Sequence, residues 1–154
     1  MKINVLAAGH IKEKWLQQGI EEYRKRLSKY CEIKIIEIQD VPDNFPLETI
    51  LEQEGKRLLD KIRERSFVIL LDLEGKEYDS LAFSRMMEKS FETGGAEITF
   101  VIGGSCGVSQ ELRERANLRI SLSEMTFTHQ MTRLFLLEQC YRGFRIIRGE
   151  PYHK

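Results

Sequence analysis

Residues 67–73, FVILLDL, form an apolar run broken only by Asp72. Successive side chains of a strand point to opposite faces of its sheet. A run that is apolar at both parities has no face to give to water, and the arrangement that covers both is a parallel sheet between two layers of helices. That requirement sets the class of fold before any other residue is read.

The remaining segments supply what it needs. KINVLAA at 2–8 reads as a buried strand closed by Gly9, EIKIIEI at 32–38 as a β-branched second strand, ITFVI at 98–102 as a further buried run, and 118–122 as one more short strand. Helical spacing fills the gaps. Trp15, Leu16, Ile20, Tyr23 and Leu27 recur at amphipathic intervals within 13–27, opposite Glu21, Glu22, Arg24, Lys25 and Arg26. Ile50, Leu51, Leu58, Leu59 and Ile62 make a stripe within 47–65, with Gly55 as an interior weak point. Asp79 or Ser80 caps a helix that runs to Thr93 and stops at Gly94 and Gly95, and Ser109 caps a short helix through Ala116. After a polar turn at 121–128, a last helix carries Met131, Leu134, Phe135, Tyr141 and Phe144. Strand and helix alternate throughout, which predicts an α/β layered fold with a mainly parallel sheet and right-handed crossovers, in one domain spanning 1–154.

Composition narrows the function classes. A chain of 154 residues buries roughly 70% of its unfolded surface, enough for a core without staples. Cys31, Cys106 and Cys140 are far apart and share no CxxC spacing, so neither a disulfide framework nor a zinc site is expected, and a cytoplasmic, reducing compartment is. The apolar run near the N-terminus is too short for a signal peptide or a membrane span. Lys+Arg and Asp+Glu are 24 each, so net charge gives no footprint for nucleic acid. Locally the balance differs: residues 133–154 hold Arg133, Arg142, Arg145, Arg148 and Lys154 against Glu138 and Glu150. That excess is either a solvated helix face or a patch for an anionic partner.

In an open α/β sheet, ligands bind beyond the carboxyl ends of the strands. Three loops qualify: Asp72, Leu73, Glu74 and Gly75 after Leu71; Gly103, Gly104, Ser105, Cys106 and Gly107; and residues 122–127. The GGxxG spacing is neither GxGxxG nor a GK[ST] phosphate loop, which disfavours a dinucleotide or nucleoside triphosphate. Whether these glycines serve a turn or a ligand stays open. With Thr128 as N-cap, the helix dipole disfavours the imidazolium of His129 and leaves a neutral ring, suited to a ligand contact or to simple packing. Arg133 lies one turn on, along the same face. The tail then adds Arg145, Arg148, Tyr152, His153 and Lys154, more polarity than folding requires. Tyr152 and His153 are suited to base catalysis, to stacking or to being exposed ends. No Ser-His-Asp order or GxSxG elbow suggests acyl transfer.

The combination KINVLAAGHIKEKW, FVIGGSCG, SEMTFTHQMTR and LLEQCYRGFRIIRGEPYHK resembles the SPOUT-class large-subunit ribosomal RNA methyltransferases that modify N3 of pseudouridine, the YbeA-like family. The resemblance runs the length of the chain. It implies an α/β fold whose C-terminal part is threaded into a deep trefoil knot, a homodimer, and S-adenosylmethionine held by the knot loops. Carried onto matching positions, cofactor contacts fall at Leu71, Gly103 and Gly104, and across Leu122, Ser123, Glu124, Met125, Thr126 and Phe127. His153, Tyr152 and Arg142 become the catalytic candidates, and His129 and Arg133 the candidates for holding RNA. The implied partner is 23S ribosomal RNA on the assembled ribosome, with no metal and no membrane. Two positions depart from the family pattern: Thr128 stands where proline is common before the histidine, and Cys106 where asparagine is common in the glycine loop. Two rival classes use the same fold. A non-catalytic ribosome-associated protein would bind no specific cofactor, and a flavodoxin-like enzyme would need the phosphate site that is missing here.

Overall fold

In the computed structural model, which describes residues 1–154, β1 (Lys2–Ala8) lies inside the sheet with β2 (Glu32–Ile38) on one side and β4 (Glu97–Ile102) on the other. β3 (Phe67–Glu77) follows β4, and β5 (Leu118–Ser121) forms the far edge, giving the order β2-β1-β4-β3-β5 with every pair parallel. The expected parallel α/β sheet is therefore what the chain forms.

Strand parity decides which core each side chain joins. Ile3, Val5 and Ala7 of β1 face α1 (Lys14–Leu27), α3 (Ser80–Gly94) and α5 (His129–Ile147), whose Leu16, Phe83, Met87, Leu137 and Phe144 share their cluster. Leu6 and Ala8 face the opposite way, toward Leu58 of α2 (Leu47–Leu59) and Leu112 of α4 (Gln110–Arg115). A strand with an apolar residue at every position needs these two layers, and both are present.

Two boundaries and one interior glycine differ from what was expected. α2 ends at Leu59, not Arg65. The N–H groups of Lys61 and Ile62 turn to the carbonyls three residues back, so the chain tightens and leaves the helix although Ile62 continues the apolar stripe. Gly55, an apparent weak point, is where α2 meets Ser109: a Cβ there would lie 2.5 Å from the Ser109 hydroxyl oxygen. β3 does not stop at Leu73 but breaks register after Leu71 and rejoins β5 at Lys76, so that Ile120 is the partner of both Leu71 and Lys76.

α5 buries a different stripe from the one its spacing suggested. Leu136, Leu137, Cys140 and Phe144 are fully enclosed, whereas Phe135 keeps 36% of its surface exposed. The helix is apolar around most of its circumference, so periodicity alone does not single out the face that meets the sheet.

The excursion in β3 rests on one close approach. A Cβ at Gly75 would sit 2.6 Å from the backbone nitrogen of Ile120 and 2.7 Å from the carbonyl carbon of Arg119. Backbone therefore lies directly against backbone here, and only glycine fits without a shift of β5. Gly75→Ala should lower unfolding stability by about 2 kcal/mol, as overpacked sites do, while Lys76→Ala changes it by under about 0.5 kcal/mol. Equilibrium denaturation of the two variants, compared with the unaltered chain, measures this.

Candidate active site

The loops at the carboxyl ends of β3, β4 and β5 converge on a cavity of about 850 Å³. Leu71 and Asp72 come from β3, Gly103 to Val108 from the glycine loop after β4, and Leu122, Ser123, Met125, Thr126 and Phe127 from the turn after β5. α2 contributes Leu51, α4 contributes Arg113, and the first turn of α5 contributes His129, Gln130 and Thr132. The three loops singled out in the sequence thus line one pocket. Of the nine residues carried over by resemblance, Glu124 alone is not in the lining; its side chain is exposed.

The walls differ in charge. On the β3 side Asp72 accepts from Arg113 at 2.9 Å and Arg119 at 3.4 Å, and Arg113 also approaches Glu74 at 3.8 Å, so this wall is internally neutralised. Behind the glycine loop sits Glu54, only 4% exposed. One of its oxygens accepts from the N–H of Val41 at 2.8 Å, and the other is enclosed with no partner. Burial, with the nearby charges of Asp40 and Asp43, pushes its carboxyl above the usual range. Leaving a carboxylate oxygen enclosed and unpaired costs about 1–3 kcal/mol.

His129 opens α5 after Thr128, whose side-chain oxygen caps the helix by accepting from the N–H of Met131 at 3.2 Å. Threonine therefore does the capping at this position. Burial and then the Arg133 charge hold the His129 imidazole below its usual pKa, leaving a neutral ring at the pocket wall. Dipole reasoning gave the same direction.

Arg133 corrects an expectation. It is 2% exposed, and its guanidinium donates to Glu37 at 2.6 Å and to the backbone carbonyls of Gly9 at 2.7 Å and Ala8 at 3.3 Å. A cation so committed is not available to an RNA phosphate. It fastens α5 to the carboxyl end of β1.

The C-terminal candidates gather elsewhere. Glu138 accepts from Arg142 at 2.6 Å and from the Tyr152 hydroxyl at 3.1 Å, and Arg142 lies 3.2 Å from Nδ1 of His153 and 4.8 Å from the centre of the Tyr152 ring. Tyr152 also packs edge-on against Tyr141, and Glu150 is held by the Tyr30 hydroxyl at 2.5 Å and by Arg145 at 3.1 Å. The tail is anchored rather than loose. Burial, then the hydrogen bonds of Tyr23 and Glu138, push the Tyr152 phenol well up, so at neutral pH it keeps its proton. This constellation and the pocket lie at opposite ends of α5: thirteen residues separate His129 from Arg142, about 20 Å along a helix axis.

Sequence reasoning missed Glu138, the acceptor that joins Arg142 to Tyr152. Its signal was available as a Glu and an Arg four residues apart on a helix. Arg113 and Leu51 were also missed, and for them no local signal exists, since they reach the pocket only through the packing of α4 and α2.

Arg133→Met should destabilise the chain by about 2–3 kcal/mol, less than a fully buried pair would give because Glu37 is partly exposed. Burial opposes ionisation of Glu37, but the Arg133 hydrogen bond and charge, with His10, outweigh it and hold the carboxyl below its usual range. Its stabilising effect is therefore complete above about pH 4.3 and is lost as pH falls through the lower folded-state value. Glu37→Gln should flatten that acid limb in a pH series of denaturation midpoints.

The chain was compared with known proteins. Residues 1–153 match the family model described as "Predicted SPOUT methyltransferase". The chain is 52% identical over 159 aligned positions to the ribosomal RNA large subunit methyltransferase H of Clostridium botulinum (strain Kyoto / Type A2), with both chains covered in full. It is 46% identical, again with full coverage of both, to the protein of the same name from Acetivibrio thermocellus. A solved structure, a putative RNA methyltransferase of the TrmH family from Porphyromonas gingivalis, aligns at TM-score 0.44 and 9% identity over 89% of this chain and 58% of that one. With its parallel five-stranded sheet and a family match that spans nearly every residue, this chain belongs to the SPOUT methyltransferase family.

Proposed function

We propose that the chain is an S-adenosylmethionine-dependent methyltransferase that methylates N3 of a pseudouridine in 23S ribosomal RNA on the assembled ribosome, in the cytoplasm. The observation that carries this is the pocket itself. It is large enough for a nucleoside cofactor, and it sits at the strand ends where α/β folds bind ligands. It also lacks any phosphate cradle, which suits a cofactor without phosphate. Leu71, Ile102, Ile120 and Leu122 offer apolar surface for an adenine, and the backbone of Gly103, Gly104 and residues 122–127 offers donors and acceptors. Glu124, with its side chain turned to solvent, is left only a backbone role. When bound, S-adenosylmethionine supplies an electrophilic methyl group on sulfur.

The chain's own residues must position the base and take up the N3 proton. His153 is the proton acceptor in this reading. Tyr152, held protonated with its one O–H given to Glu138, orients the base through the acceptor side of its hydroxyl oxygen, and Arg142 faces the charge that develops on the base. His129 contacts the substrate from the pocket side.

Pocket and tail are too far apart in one chain to act on the same atoms. The proposal is therefore a homodimer, in which the tail of one copy completes the pocket of the other. Trp15 on α1, 60% exposed, and the tilted ring pair Phe127 and Phe135, with ring centres 4.9 Å apart, supply apolar surface for such an interface. The trefoil knot belongs to the same reading. No helix of the structure is long and apolar enough to cross a membrane.

The balanced net charge makes naked RNA a poor substrate, because non-specific affinity comes from phosphate neutralisation. Labelled methyl should pass to ribosomes that contain the pseudouridine and not to those that lack it, with protein-free RNA labelled weakly. Deleting residues 152–154 should reduce transfer by at least about 100-fold, the scale of a lost acid–base group, while cofactor affinity stays within about twofold. Transfer that survives the deletion removes the tail from the mechanism.

A further inference from the structure

Three carboxylates stand behind one wall of the pocket, and none has a cationic partner. Glu54 presses its unpartnered oxygen to 2.6 Å from the position a Cβ would take on Gly104, a lining residue. Asp43 accepts from the hydroxyl of Ser105, the next lining residue, at 2.9 Å. Asp40 reaches the same side: a Cβ on Gly9 would lie 3.6 Å from its carboxylate and 3.4 Å from Nε2 of His129. Asp40, Asp43 and Glu54 take part in none of the chain's ion pairs.

One neighbouring cation is balanced and one is not. Arg133 is held by Glu37 and two backbone carbonyls, whereas Arg57 donates only to the carbonyl of Gln39 at 2.7 Å and its charge acts on Glu54, so three acids face one unpaired cation. The contrast with the opposite wall is direct, since Asp72 there has two arginines. The acids do not form a chelating cluster either: no group of three or more His, Cys, Asp or Glu side chains is arranged to hold a metal ion. What remains is a field of negative potential reaching the pocket through a thin wall of Gly104, Ser105 and His129. Low-dielectric walls focus such a field into the cleft.

We propose that this net-negative wall is a charge filter, in which Asp40, Asp43 and Glu54 favour the cationic methyl donor over its neutral demethylated product; the inference rests on S-adenosylmethionine being the pocket's ligand. Donor and product differ by a methyl cation. The C–S bond breaks with its electron pair left on sulfur, so sulfonium becomes thioether while adenine, ribose and amino acid are unchanged. A wall that attracts the sulfonium therefore loosens its grip once transfer is complete, and the spent cofactor leaves more readily than the fresh one. Glu54 acts at the shortest range but only when ionised, and because burial raises its carboxyl its share grows as pH rises. Asp40 and Asp43 are exposed and act through solvent, which makes their share salt-sensitive.

The test measures affinities of the full-length protein for S-adenosylmethionine and for S-adenosylhomocysteine by calorimetry. Glu54→Gln keeps an oxygen for the Val41 N–H and removes only the charge. It should weaken the donor by about fivefold, the size of one buried charge acting across a protein wall, and leave the product within about twofold. The doubly substituted Asp40→Asn, Asp43→Asn protein changes only surface groups and carries the test if Glu54→Gln does not fold. Its preference for donor over product should narrow by about threefold at low salt and by less at high salt. Equal weakening of both ligands would make Glu54 a prop for the glycine loop and overturn the filter, as would an unmoved preference in both variants. If the unaltered protein binds neither ligand, the cofactor reading itself fails and the filter falls with it.

Discussion

The buried guanidinium of Arg133 is the fastening on which the arrangement of the site depends. It joins one turn of α5 to the carboxyl end of β1 through the carbonyls of Ala8 and Gly9, and to β2 through Glu37. Those carbonyls lie where β1 ends, so without a donor from α5 they would be enclosed and unpaired. The bond fixes both the position and the rotation of a nineteen-residue helix. Everything chemical on α5 inherits its place from this contact: the first turn is delivered to the pocket wall, and the last turns carry Glu138, Arg142 and the groups that hold the tail.

The tail is ordered by charge and ring packing rather than by regular structure. Glu138 is its hub, accepting from Arg142 and Tyr152, while Glu150 is gripped by Tyr30 and Arg145. Arg148 lies over the Tyr30 ring at 4.7 Å, and Tyr141 meets Tyr23, Tyr30 and Tyr152 edge-on. A short carboxyl end without helix or strand normally frays. Here Glu150, Tyr152 and His153 each have a named partner, so Tyr152 and His153 are presented from a defined surface.

The strands were legible because a parallel sheet buries both faces, and runs such as FVILLDL and ITFVI have no polar side to turn toward water. The three loops that line the pocket were legible for a related reason, since topology alone says which ends of the strands gather ligands. The particular residues assigned to the cofactor came from family resemblance, not from periodicity. What sequence did not disclose was set by contacts distant in the chain. The end of α2 was hidden because Ile62 prolongs an apolar stripe that the backbone abandons. The second half of β3 exists only because β5 lies beside Gly75. Arg133 read as an exposed cation because nothing local announces that Glu37, 96 residues away, will bury it.

The separation of pocket and tail along α5 has a consequence for how such a chain acts. A methyl donor bound at the strand ends cannot be reached by His153 of the same chain, because α5 is packed between α1 and α3 on the sheet and cannot bend without breaking the core at Leu137, Cys140 and Phe144. Moving the tail would cost its contacts with Glu138, Tyr141 and Tyr30, and the anchored conformation argues against that. The proposed homodimer removes this obstacle, since each tail would stay folded on its own α5 while facing the other copy's pocket. α5 and α1 hold the outward apolar groups that such a contact requires, with Trp15 and Phe135 unpartnered by the sheet. In the proposed dimer one rigid helix would present the tail's polar groups outward at one end and close the pocket wall at the other, so that pairing of the chain would bring the two to one place.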